Sequence, residues 1–146
     1  MVSRTRSMTR VEATARQRHA HAFIEAADLV LDLGDDAGIP DLGNTVGSLA
    51  VLAGIAAGDA ICGATLGRRA AGESHGEAVT LLRQTEPGKR LAASLSRLID
   101  SKTEVQYAAT ILTESRARDL MKAARRLVEG MDEIMRASVT SSPARD

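Results

Sequence analysis

At 146 residues the chain has the length of one domain, enough to bury roughly two thirds of the surface its unfolded form exposes. Its 19 basic and 19 acidic side chains cancel, which removes overall charge as a reason to expect a polyanion-binding protein, and one cysteine excludes an internal disulfide. Hydrophobic residues make up 44% of the chain, yet Phe23 and Tyr107 are its only aromatics; Leu, Ile, Val, Met and Ala must fill the core, which suits packed helices better than sheets and nearly excludes base stacking on aromatic rings.

The charges are unevenly placed. Residues 1 to 21 carry Arg4, Arg6, Arg10, Arg16 and Arg18 against Glu12 alone, whereas residues 22 to 67 carry seven acids and no Lys or Arg. No continuous apolar segment marks a secretory signal at the N-terminus; the stretch is Arg-rich and acid-poor in the manner of an organellar transit peptide, and the cytoplasm is the expected compartment. Cys62 sits among apolar residues and reads as a small core residue, no metal cluster is readable, and no cofactor is implied.

In chain order, residues 1 to 9 read as a flexible basic arm, 10 to 136 as a single helical domain and 137 to 146 as a disordered tail. Val11, Ala15, Ala22, Phe23, Ala26, Val30 and Leu33 recur at helical spacing up to Gly34, with Arg16, Arg18, His19 and Glu25 on a solvated face. Turn formers fill 35 to 43, and Asn44 or Thr45 is placed to cap a central helix that is apolar on every side from Val46 to Leu66. Its length would suit a membrane span, but Asp59, the glycines and the missing flanking anchors point to the buried centre of a bundle instead. Asp59 then needs a partner from another helix or another subunit, because an unpaired buried carboxylate is costly.

Gly67 loosens or stops that helix. Ser74 and Glu77 have the spacing of a capping box, with Ser74 as N-cap, His75 as the first residue of a third helix, and Leu81 and Leu82 inward. Leu91, Leu95, Leu98 and Ile99 form the stripe of a fourth helix continued by Lys102, Val105 and Tyr107. Leu120, Ala124, Leu127, Met131 and Ile134 form the stripe of a fifth, from about Glu114 to Arg136. The fold predicted is an all-α up-and-down bundle of four to five helices.

Chemistry concentrates at the end of the central helix. A histidine at the first position of a helix is held neutral by the macrodipole, and the free N–H groups there suit a phosphate, with Arg68 and Arg69 near enough in sequence to fold over it. Arginine, neutral histidine and helix terminus are what metal-free cleavage of RNA requires. The same residues are compatible with plain structure: arginines after a helix C-terminus complement its dipole, and a first-turn histidine can be a surface residue. Arg118, Lys122, Arg125 and Arg126 line one side of the last helix, but Glu114, Asp119 and Glu129 beside them make it a solvated, ion-paired face.

From Asn44 to about Arg136 the chain resembles the HEPN superfamily of helical domains. The Ala-rich helix closed by Gly67, the Ser74-His75 passage, the Lys102-to-Tyr107 segment and the Thr113-to-Met131 helix follow that family's order and spacing. The resemblance implies a bundle that forms a homodimer, acting on RNA or a nucleotide. In many members it also implies a metal-independent endoribonuclease of toxin-antitoxin, defence or RNA-processing systems whose Arg-x(4-6)-His site draws on both subunits. Arg69 and His75 have that spacing, as do Arg68 and His75, and Arg69 is the preferred catalytic arginine. Arg68, Ser74, Glu77, Lys102 and Tyr107 are supporting or substrate-binding candidates. The chain departs from active members in having Ala70 after Arg69 and Glu77 two residues after the histidine. The alternative that the resemblance carries is a non-catalytic module that binds a nucleotide or a protein partner such as a cognate nucleotidyltransferase or antitoxin; a purely structural helical dimer is a third reading.

Overall fold

Two glycines in the left-handed region frame the hairpin on which the bundle is built. Helix α1 (Arg10–Ala37) starts at Thr9, whose hydroxyl accepts the Glu12 amide at 3.1 Å while the Glu12 carboxylate accepts the Thr9 amide at 3.0 Å. This reciprocal cap satisfies two donors that a helix start would leave orphaned. Gly38, at φ 72°, ends α1 and turns the chain. Helix α2 (Leu42–Leu66) runs back along α1 and ends at Gly67, φ 68°. The computed structural model describes residues 4–71, 76–106 and 109–141.

Beyond Gly67 the chain extends instead of passing straight into another helix. Strand β1 (Thr5–Ser7) pairs antiparallel with strand β2 (Arg68–Ala70), Thr5 opposite Ala70 and Ser7 opposite Arg68. Residues 5 to 7, expected from sequence within a flexible arm over residues 1 to 9, thus form a paired strand. The turn at Gly67 leaves β2 with an open edge, and Met8 anchors its partner: the Met8 amide donates to the Gly67 carbonyl at 2.8 Å. Its side chain is buried in a notch that exists because residue 63 is glycine; a Cβ there would overlap the Met8 sulfur.

Helix α3 (Gly76–Arg83) and a 3-10 turn (Pro87–Arg90) lead to α4 (Ala92–Asp100) and α5 (Lys102–Gln106), and α6 (Glu114–Ser141) completes the fold. Side-chain contacts give the directions. Gly58 faces Leu95 and Gly54 faces Leu98, so α4 is antiparallel to α2; Gly130 faces Leu91, and Leu127 meets α2 at Gly54, so α6 returns antiparallel to α4. Arg10 bonds Ser138, Gln17 bonds Asp132 and Asp28 pairs with Arg125, which sets α1 antiparallel to α6. The protein is an all-α up-and-down bundle, as its sequence pattern predicts.

The central helix is the core. Val46, Ala50, Val51, Ala53, Ala56, Ala57, Ala60 and Ile61 are fully buried, and its apolar run is largely covered by the other helices. It begins earlier than its cap residues suggest: Asp41, at φ 49°, precedes the first turn without a side-chain cap. Asn44 instead clamps the approach to α6, donating to the Thr110 carbonyl at 2.9 Å and accepting the Leu112 amide at 2.8 Å. The fourth predicted helix breaks at Ser101, whose hydroxyl turns back to the Arg97 carbonyl at 2.9 Å, so α4 and α5 are separate. The last helix outruns its expected end at Arg136 and reaches Ser141, within the stretch from 137 expected as a tail. Arg10 ties this extension down by donating to Ser138 Oγ at 2.9 Å.

Candidate site: an arginine cavity between α1, α2 and β2

Strand geometry separates the two candidate arginines. Successive side chains on β2 point to opposite faces, so Arg68 is exposed and donates to Gln84 Oε1 at 3.1 Å, beyond the end of α3. Arg69, half-buried, faces the other way into a cavity of about 460 Å³ that it shares with Met8, Glu12, Ala15, Arg16 and Asp59. Among the described residues its guanidinium has one hydrogen bond, to the carbonyl of its neighbour Ala70 at 3.2 Å, which leaves donors for a bound group.

The partner that Asp59 requires comes from α1. Arg16 Nη2 donates to Asp59 Oδ2 at 3.2 Å, with the Asp59 side chain only 14% exposed. A second nitrogen of the same guanidinium lies 3.2 Å from His19 Nδ1, which must accept because arginine has only donors. Arg16 was read from sequence as part of a solvated face; the structure makes it the link between helices. The signal was present in the spacing: folding two helices back on each other about the loop near Gly38 sets residue 59 opposite residue 16 or 17.

The two carboxylates lining the cavity are perturbed in opposite senses. Burial pushes Asp59 above the usual carboxylate range, against the pull of Arg16 and then Arg69. The Thr9 amide, followed by the Thr9 hydroxyl, holds Glu12 below that range. Beneath Asp59 the Cys62 thiol is buried, and burial raises it to about 12, so it is an inert core group.

The remaining candidates are placed as follows. Lys102 opens α5, which packs at the far end of α2: Ser48 Oγ donates to the Val105 carbonyl at 3.4 Å. Ser48 is eleven residues from Asp59, about 16 Å along the helix, so Lys102 is not brought to the arginine cavity. Glu77 lies in the first turn of α3 and is half-buried. Ser74, His75 and Tyr107 fall outside the described residues. His19 is exposed beside Arg16, and His21 meets Asp132 at 2.9 Å, the two pointing to different sides of α1 as their spacing requires.

No family model and no curated protein sequence matches the chain.

Proposed function

We propose that this chain is a HEPN-type domain directed at RNA, acting in the cytoplasm as a homodimer and cleaving RNA without a metal ion. Arg69 is the catalytic arginine and His75 its partner six residues on. The observation that carries the reading is the state of Arg69: a half-buried guanidinium at the rim of a cavity, held by the strand that follows Gly67, with donors not taken up by any carboxylate among the described residues. Such a group binds a phosphodiester and stabilises the charge that builds on its equatorial oxygens.

In this mechanism His75 takes the proton of the ribose 2'-hydroxyl, whose oxygen attacks the adjacent phosphorus. The bond to the 5'-oxygen breaks, that oxygen acquires a proton, and the products are a 2',3'-cyclic phosphate and a 5'-hydroxyl. Arg69 holds the phosphorane; Arg16, kept in place by Asp59, adds a second cation to the cavity wall. Ser74 and Glu77 lie within a few residues of the pair along the chain and support substrate binding, whereas Arg68 is turned to the opposite face of β2.

The test is cleavage of a mixed-sequence RNA by the purified chain in the presence of chelator. Product ends should be 2',3'-cyclic phosphates, and Arg69→Ala and His75→Ala should each lower the rate at least a hundredfold, on the order of what one stabilising or proton-transferring group supplies. Cleavage abolished by chelator, or unchanged in both variants, overturns the reading.

A second reading is favoured by the balance of charge in the cavity, where Glu12 and Asp59 offset Arg16 and Arg69. In it the domain is a non-catalytic module whose cavity takes a nucleotide, or whose surface takes a nucleotidyltransferase or antitoxin. Binding of a nucleoside monophosphate that is lost in Arg69→Ala, with no RNA cleavage, selects it.

A further inference from the structure

We infer that one face of the β1–β2 ribbon, continuous with the arginine cavity, is a track for the backbone of a single polynucleotide strand, on which Arg6 and Arg4 hold the phosphates next to the one that Arg69 receives. The inference rests on Arg69 receiving a phosphodiester, as proposed above, and not on cleavage. The ladder sets which side chains share that face. Met8 is buried and lines the cavity, and its amide continues the pairing to Gly67, so it marks the inward side of the first strand. Side chains alternate along a strand, which puts Arg6, and Arg4 before it, on the same side as Met8. Arg6 also lies directly opposite Arg69 in the register, and residues directly opposite share a face.

Without an anion this arrangement is costly. Two like charges directly opposite, their Cβ atoms about 5 Å apart, work against a pairing only three residues long. Among the described residues neither Arg4 nor Arg6 has a hydrogen bond or an ion pair from its side chain; Glu12 is taken up by the Thr9 amide and Asp59 by Arg16. The ribbon is held instead by main-chain bonds, such as the Ala71 amide to the Arg4 carbonyl at 3.2 Å, and by the Met8 plug. An anion bound between the guanidiniums turns their repulsion into attraction.

Spacing selects the kind of anion. Arg4 and Arg6, two residues apart on an extended strand, are about 7 Å apart. That is the order of the step between successive phosphates of an extended single strand, and more than a diphosphate spans, since its two phosphoryl groups share one oxygen. A row of three arginines at such intervals matches a backbone carrying one phosphate per nucleotide and gives a lone nucleotide no use for the outer two. With one Phe and one Tyr in the whole chain, the track has no platform on which to stack bases, so it reads charge and not sequence.

The probe is a single-stranded 2'-O-methyl RNA of mixed sequence, which has no free 2'-hydroxyl to attack its own backbone, titrated against the full chain at several salt concentrations. The native chain should bind it with little regard to base sequence, and the bound strand should slow tryptic cleavage after Arg4 and Arg6. Arg6→Ala should keep the native circular dichroism, weaken binding about tenfold at low salt and make the dependence of log Kd on log salt shallower by about 0.7, the share of one phosphate on a single strand. Arg4→Ala should act in the same direction, and Arg6→Lys should keep the native slope. Arg126→Ala, which removes the same charge from an exposed position on α6, should leave affinity and slope unchanged. Equal effects of Arg6→Ala and Arg126→Ala overturn the track, as does a chain that takes a nucleoside monophosphate and not the strand. The two readings fail separately. Cleavage of unmodified RNA with the native KM in Arg6→Ala removes the track and leaves the nuclease, whereas binding that depends on Arg6 without any cleavage removes the nuclease and leaves the track.

Discussion

The two sides of α2 solve opposite problems with the same helix. Toward α4, α5 and α6 it shows glycines and small apolar residues, and the neighbours press in: Val105 and Leu112 at Gly47, Leu98 at Gly54, Leu95 at Gly58. Toward α1 and β2 it shows Asp59, and there the packing gives way to a polar cavity. The first side is dry and specified by shape. The second is specified by charge and hydrogen bonds, and depends on residues far apart in sequence, such as Arg16 and Arg69. Substitutions on the first side should register as stability, and those on the second as pH dependence and ligand binding.

The largest effect is expected where backbone meets backbone. A Cβ at Gly43 would overlap the Leu112 carbonyl, which is fixed by the Asn44 clamp and cannot rotate away. Gly43→Ala should therefore cost about 3 kcal/mol, the upper range for overpacking. Gly54→Ala meets side-chain ends alone, Leu98 closely and Leu127 less so, and the gain of about 1 kcal/mol from alanine's helix preference offsets part of the strain. Urea denaturation of the two variants measures the difference; equal costs would mean that the clamp yields as easily as a side chain.

Next in size is the plug between the two regions. Met8→Ala should cost about 2 kcal/mol, the low end for a buried methionine, because the edge strand can collapse partway into the space. It should also free β1, so that trypsin cuts after Arg4 and Arg6 several times faster than in the native chain. Thr9→Ala, which removes the reciprocal cap of α1, should cost about 1 kcal/mol by the same denaturation assay.

How much of this was readable beforehand divides along the same line. The apolar periods of residues 46 to 66, 91 to 99 and 120 to 134 specify helices and their inner faces because burial is a local property of spacing. The demand of Asp59 for a partner was likewise legible, since a buried carboxylate cannot stand alone. The β1–β2 pair was not: three exposed polar residues with no alternation carry no strand signal, and their pairing follows from the path that Gly67 forces on β2. Arg69 was picked out by its place in a motif, but its separation from Arg68 comes from the two-residue period of a strand that the sequence did not announce. The Asn44 clamp was hidden for a similar reason, because a residue that looks like a helix cap was used sixty-eight positions away.

The smallest expected change in stability, read below pH 4, belongs to Asp59→Asn, and its pH dependence is the sharpest test of the polar side. Because burial raises the Asp59 carboxyl, the folded chain keeps a proton there over a pH interval in which the unfolded chain has released it. Stability therefore falls as pH rises from about 4 through that interval and then levels off. Glu12 acts in the opposite direction: its lowered carboxyl stabilises the fold above the ordinary range, and that contribution is lost as pH falls through the lowered value. Asparagine resembles the neutral carboxyl and can still accept from Arg16, so below pH 4 the unfolding free energy should change by no more than about 0.5 kcal/mol, and at pH 7 the variant should be the more stable by the height of the limb it lacks. The descending limb above pH 4 should vanish while the Glu12 limb at lower pH remains. If the native pH profile is reproduced unchanged in Asp59→Asn, the carboxylate is not held out of water by α1 and β2, and the cavity is a wet surface groove in which Arg16 and Asp59 are an ordinary exposed ion pair.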